Sequence, residues 1–108
     1  MNWIILIVAG LFEVIFAFCL GKAKITTGTI SYMWLFAFAI TSTISMYLLY
    51  RAIQTLPLGT SYAVWTGIGA VGTVIVGIVF FKEPAEFWRL FFITTLIVSI
   101  IGLKFVTN

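Results

Sequence analysis

Two stretches of this chain carry no charge at all: 26 residues between Lys24 and Arg51, and 30 between Arg51 and Lys82. A helix rises about 1.5 Å per residue and about 20 apolar residues cross a bilayer, so each stretch holds one membrane-spanning helix. Two further apolar runs flank them: Trp3 to Leu20, broken only by Glu13, and Leu90 to Val106, broken only by Lys104. The chain therefore reads as an all-α integral membrane protein with four transmembrane helices, over about 3–20, 32–50, 58–81 and 85–106. Residues 1–108 form one transmembrane domain with short loops. The breakers agree. Pro57 sits where the third helix begins, and Pro84 sits at the start of the fourth, with Glu83 as its cap and Glu86 in its first turn.

Composition narrows the function. Charged residues are 8% of the chain, hydrophobic ones 63%, and mean hydropathy is +1.23. A soluble domain carries about 25% charge. A soluble enzyme, a nucleic-acid-binding module and a disordered chain are excluded. The net charge of +3 comes from scattered Lys and Arg, which suit anionic lipid headgroups rather than nucleic acid. There is no histidine and one cysteine, Cys19, so a His-based metal or haem site, a His-containing catalytic set and an intrachain disulfide are all absent. Glu83 and Glu86 are too few for a carboxylate cage. The segment Met1 to Gly21 lacks a basic n-region and a small-x-small cleavage site, and reads as a retained helix rather than a signal peptide.

Four spans put both termini and the loop at 51–57 on one side of the membrane, here side A. The loops around Lys22 and Lys82 lie on side B. Side A carries Arg51 and Lys104; side B carries Lys22, Lys24, Lys82 and Arg89. This bias is weak, so both orientations in the membrane are physically open.

Glu13 is the most informative residue. It lies ten residues into the first helix, about 15 Å deep, at the bilayer midplane. An acidic side chain there costs at least about 2.5–3.5 kcal/mol and marks function more often than structure. A carboxyl at that depth holds a proton or a cation, but not both easily. The plainer alternative is a neutral, hydrogen-bonded glutamic acid that ties helices together. Its neighbours one turn away are Ala9, Gly10, Phe16 and Ala17. Gly10 lets a helix or a ligand come close, and Phe16 reads as a pocket wall. Trp3, Trp34 and Trp88 fall at or near the interfaces, as an aromatic belt requires. Trp65 does not: it lies about 10–12 Å deep, near the level of Glu13, with Tyr62 one turn shallower on the same face. A buried indole and phenol need partners, which a carboxylate supplies, and their π faces suit a cation. On the second helix either Ser42 or Ser45 has the depth to anchor Glu13. Thr95, Ser99 and Gly102 form a small-residue stripe on the fourth helix, a candidate contact between subunits. Lys104 reads as an interfacial anchor.

These pieces resemble the small multidrug resistance (SMR) family. The resemblance rests on Phe-Glu-Val-Ile around Glu13, Leu-Pro-Leu-Gly-Thr-Ser-Tyr-Ala-Val-Trp-Thr-Gly-Ile-Gly at 56–69, Phe-Phe-Lys-Glu-Pro at 80–84 and Ile-Gly-Leu-Lys at 101–104. It spans the whole chain. It implies a proton-coupled antiporter of the bacterial inner membrane, a multi-pass protein working as an antiparallel, dual-topology dimer. There Glu13 from each subunit binds protons or a cationic substrate in turn, Tyr62 and Trp65 are its aromatic partners, and Ser45 rather than Ser42 is the helix 2 hydroxyl. No cofactor is implied beyond protons as coupling ion, and no enzyme activity. Trp-Thr-Gly-Ile-Gly and Ile-Gly-Leu-Lys are closer to the guanidinium-exporter branch, whose substrates would be guanidinium and small substituted guanidiniums. Phe16 departs from that branch, which typically has Trp there, whereas exporters of polyaromatic cations have Gly. The alternatives are a multidrug exporter of quaternary ammonium compounds, or one subunit of a paired heterodimer instead of a homodimer.

Overall fold

A computed structural model describes residues 2–106. It contains four helices: α1 Asn2–Ile25, α2 Gly28–Ala52, α3 Leu58–Phe80 and α4 Phe87–Val106. All four are long and apolar enough to cross a membrane.

Their ends refine the reading from sequence. α1 does not stop near Leu20 but runs on through Lys22 and Lys24, and α2 begins four residues before Tyr32. Only Thr26 and Thr27 separate the two helices. Side chains make so tight a corner possible. Thr26 Oγ1 donates to the Lys22 carbonyl at 2.7 Å and Ser31 Oγ to the Ala23 carbonyl at 2.9 Å. Both carbonyls belong to the last turn of α1, which has no helical donors left for them. Lys22 and Lys24 add cations at the negative end of the helix dipole. Gly28 takes φ +66° to turn the chain.

α4 starts later than expected. Pro84 is not its first residue and Glu83 does not cap it. Residues 82–86 have no regular secondary structure, and the first helical hydrogen bond runs from the Leu90 amide to the Glu86 carbonyl at 3.0 Å. The chain instead folds back on the end of α3. Lys82 adopts φ +56°, and the Glu83 amide donates to the Gly77 carbonyl at 3.1 Å.

α1 is the central element, packed along both α2 and α3, while α4 packs along α3. The core lies in the side A half. It comprises Leu6, Ala9, Leu49, Ala52, Leu56, Val64 and Trp65. Lipid tails are as apolar as these side chains, so hydrophobicity does not drive the helices together; close packing and interhelical hydrogen bonds do. Small residues make the approach possible. A methyl group added to Gly10 would fall 2.7 Å from Ile68 of α3, and one on Gly67 2.6 Å from Ile100 of α4.

Candidate functional site

The site begins with a hydrogen-bonded clasp across three helices. Ser45 of α2 is fully buried. Its hydroxyl donates to the Ala9 carbonyl of α1 at 2.7 Å and accepts from the Trp65 indole of α3 at 3.0 Å. A serine has one proton to give, and here it goes to Ala9. The expected bonds to Glu13 are therefore not formed: Ser45 and Trp65 pair with each other. Ser42 serves its own helix, donating to the Ala39 carbonyl at 3.1 Å. Interhelical hydrogen bonds in membranes average about 0.6 kcal/mol and reach about 1.7. The clasp therefore fixes the rotation of three helices more than it adds stability.

Ala9 lies one turn before Glu13, so the clasp also sets where Glu13 points. The Glu13 carboxyl lies against the backbone of Gly69 on α3, at a spot where any β-carbon would overlap it. Gly69 follows Trp65 by one turn, and Ser61 precedes it by one. Ser61, Trp65 and Gly69 thus form one buried stripe on α3. Glu13 Oε1 is buried and has no hydrogen-bond partner among the described residues, and the same holds for Ser61 Oγ. A buried acceptor without a partner is costly. A proton, or a cation carrying N–H donors, would relieve that cost.

The other expected site residues divide. Tyr62 lies beside Trp65 with its ring tilted by 41° and the centroids 5.6 Å apart, but it is 56% exposed and turns away from the three-helix core. Phe16 is half-buried and meets Phe38 of α2 edge-on at 5.6 Å. It walls the α1–α2 side and does not face lipid alone. Gly10 is not ligand space, because Ile68 fills the room its missing side chain leaves. Thr95, Ser99 and Gly102 are exposed on α4, and nothing lies within 4 Å of a β-carbon built on Gly102. Thr95 Oγ1 donates within its own helix, to the Phe92 carbonyl at 2.8 Å. Lys104 places its ammonium over the Trp3 ring, 5.5 Å from the centroid.

Reading the sequence missed Gly69 and Ser61. The signal was present: both stand at four-residue spacing from Trp65, on the face that meets α1.

Comparison with known proteins agrees with this architecture. The family described as Small Multidrug Resistance protein matches residues 1–96. The guanidinium exporter of Escherichia coli strain K12 is 48% identical over 112 residues, covering 100% of both chains. That of Yersinia pseudotuberculosis is 45% identical over 108 residues, covering 96% of this chain and 97% of its own. The probable guanidinium efflux system subunit GdnD of Bacillus licheniformis is 41% identical over 107 residues, covering 99% of this chain and 100% of its own. Four membrane-length helices, a midplane carboxyl on the first and these matches across nearly all of its length lead to one conclusion: the chain is a multi-pass membrane protein of the small multidrug resistance family.

Proposed function

We propose that this protein is a proton-coupled antiporter that exports guanidinium and small substituted guanidiniums across the bacterial inner membrane. The observation that carries the reading is Glu13: a carboxyl on α1 at the midplane, with one buried oxygen that no donor among the described residues reaches. Two ligands suit it, a proton and a cation with N–H groups. They compete for the same oxygens, and that competition is the coupling. Guanidinium is favoured over a quaternary ammonium because its planar N–H fork matches a carboxylate, whereas a tetraalkylammonium has no hydrogen to donate. The relatives named as guanidinium exporters support the same choice.

The working unit is an antiparallel dimer with one Glu13 from each chain. Two features support it. α4 has no buried residue and leaves its small-residue stripe uncovered, and the Lys and Arg balance of two against four leaves both orientations open.

The test is exchange in proteoliposomes. An inward proton gradient should drive guanidinium outward, and outward guanidinium should drive protons inward. Apparent guanidinium affinity should weaken as pH falls, because protons occupy the shared site, by up to about tenfold per pH unit for each proton displaced. Guanidinium flux indifferent to the proton gradient, with affinity flat from about pH 6 to 8.5, would reject coupling through a shared carboxyl. A second reading has one specific support: the Bacillus licheniformis relative is named as a subunit of an efflux system. Under that reading the chain pairs with a related partner. Purified protein that exchanges guanidinium without any second chain decides for the homodimer.

A further inference from the structure

We infer that Glu83 is a second cation-binding carboxylate, at the side B entrance to the transport site, and that the Arg89 guanidinium occupies it as a built-in mimic of the substrate. This rests on guanidinium export as the reading of the central site. The starting observation is a cavity of about 700 Å³ between α1, α2 and α3. Its inner end is lined by Ala17 and Thr73, each one turn beyond the Glu13–Gly69 contact. Its outer end is lined by Lys24 and Glu83. The cavity thus runs from the side B surface to within a turn of the midplane carboxyl.

Glu83 is held there by its backbone and not by chance. The fold-back after α3 lays its carboxylate over Gly77, where a β-carbon would collide with it. Arg89, from the first turn of α4, reaches across. Its Nη2 donates to Glu83 Oε1 at 2.6 Å and its Nη1 to the Pro84 carbonyl at 3.1 Å. The group on Glu83 is therefore itself a guanidinium. The two side chains are 29% and 46% exposed, so the pair is reached by water and is weak enough to exchange. With Arg89 in place Glu83 is neutralised, and Lys24 leaves the mouth positive. An incoming guanidinium that takes over the Glu83 oxygens makes the same charge-assisted hydrogen bonds and frees Arg89. A cation without N–H groups cannot make this exchange. The mouth thereby discriminates before Glu13 is reached, and in an antiparallel dimer each membrane face carries one such mouth.

The chain has two arginines, Arg51 and Arg89, so side-chain ¹⁵N NMR of arginine-labelled protein shows them separately. The Glu13→Gln variant is titrated with guanidinium chloride, with tetramethylammonium chloride and sodium chloride at matched strength as controls. The expected result is a saturable shift of the Arg89 guanidinium signals with guanidinium alone, while Arg51 stays still. No shift, equal shifts of both arginines, or the same shift with sodium chloride overturns the inference. This arm does not need transport, so it stands or falls separately from the central reading. In proteoliposomes, Arg89→Gln should lower the guanidinium KM and Glu83→Gln should raise it, each by about two- to fivefold at unchanged kcat. Arg89→Lys, which keeps the charge but not the planar fork, should fall between wild type and Arg89→Gln. Wild-type KM in both Gln variants rejects the mouth site, whereas a wild-type protein that exchanges no guanidinium rejects the central reading.

Discussion

α3 and α4 are both apolar helices of membrane-spanning length, yet they fare differently. α3 buries Ser61, Val64, Trp65, Gly67, Gly69 and Gly77, whereas α4 buries nothing. Glycine shows the contrast most sharply. Gly69 is pressed against the Glu13 carboxyl, while Gly102 faces open space. Apolar composition decides that a helix enters the bilayer, but small and polar residues in register decide what it packs against. α3 has its partners within the chain. α4 presents the same kind of small-residue face with no partner among the described residues, the feature on which the proposed dimer rests.

The largest test of this contrast is on the packed side. Glu13→Gln should abolish proton-coupled guanidinium exchange, lowering it by at least about 10²-fold, while the protein still folds, since the amide keeps the carboxyl's shape. Exchange at the wild-type rate in this variant, with unchanged thermal unfolding in detergent, would remove Glu13 from the mechanism.

Paired glycine substitutions sharpen the contrast further. Gly69→Ala forces a methyl into the Glu13 carboxyl and should destabilise by about 1–3 kcal/mol, with weakened guanidinium affinity. Gly102→Ala should cost a single chain almost nothing, whereas Gly102→Leu should shift dimer toward monomer in native mass spectrometry and lower exchange in parallel. If Gly102→Leu leaves both the dimer and exchange intact, the α4 stripe faces lipid.

Within the packed side, the clasp and the pocket wall should separate stability from selectivity. Ser45→Ala leaves the Trp65 indole and the Ala9 carbonyl without their partner, and should cost about 1–2 kcal/mol in chemical unfolding. Such a loss is absent if the clasp carries no weight. Phe16 should act on selectivity alone. Phe16→Gly opens volume beside Phe38 and should admit bulky cations, while Phe16→Trp restores an N–H donor near the carboxyl. A hydrogen bond to a charged group contributes about 1.5–3 kcal/mol, so the guanidinium-to-tetraalkylammonium rate ratio should differ by about tenfold or more between these variants. An identical ratio in all three proteins would place Phe16 outside the pocket.

Much of this was legible from depth along the chain. Glu13 and Trp65 were found by counting residues from an interface, because rise per residue is constant in a helix; the same count left Ser42 and Ser45 level, and the family resemblance chose Ser45. Pairing was not legible in the same way. Depth put Ser45 and Trp65 in reach of Glu13, but each found the other first, and one hydroxyl proton cannot serve two acceptors. Gly10 failed for a related reason: a missing side chain shows room, and the neighbouring helix decides that Ile68 takes it. At the start of α4, Pro84 and Glu83 fitted the helix-entry pattern. The fold-back onto Gly77 overrode it, because an amide and a carboxylate found tertiary partners instead of a helix end to cap.

The sequence by itself determined the number of spans, their alternating direction and the single acidic group at the midplane. Insertion depends on apolar character summed along one segment at a time, and that is a one-dimensional property of the chain. The tertiary structure alone decided which polar groups are paired and which are left unpaired. Pairing depends on the rotation of each helix against its neighbours, set by contacts such as Ala9 with Ser45 and Glu13 with Gly69. With Ser45 closed onto Ala9 and Trp65, Glu13 Oε1 has no donor among the described residues, and that is the physical ground for proposing a proton or a cation as its ligand.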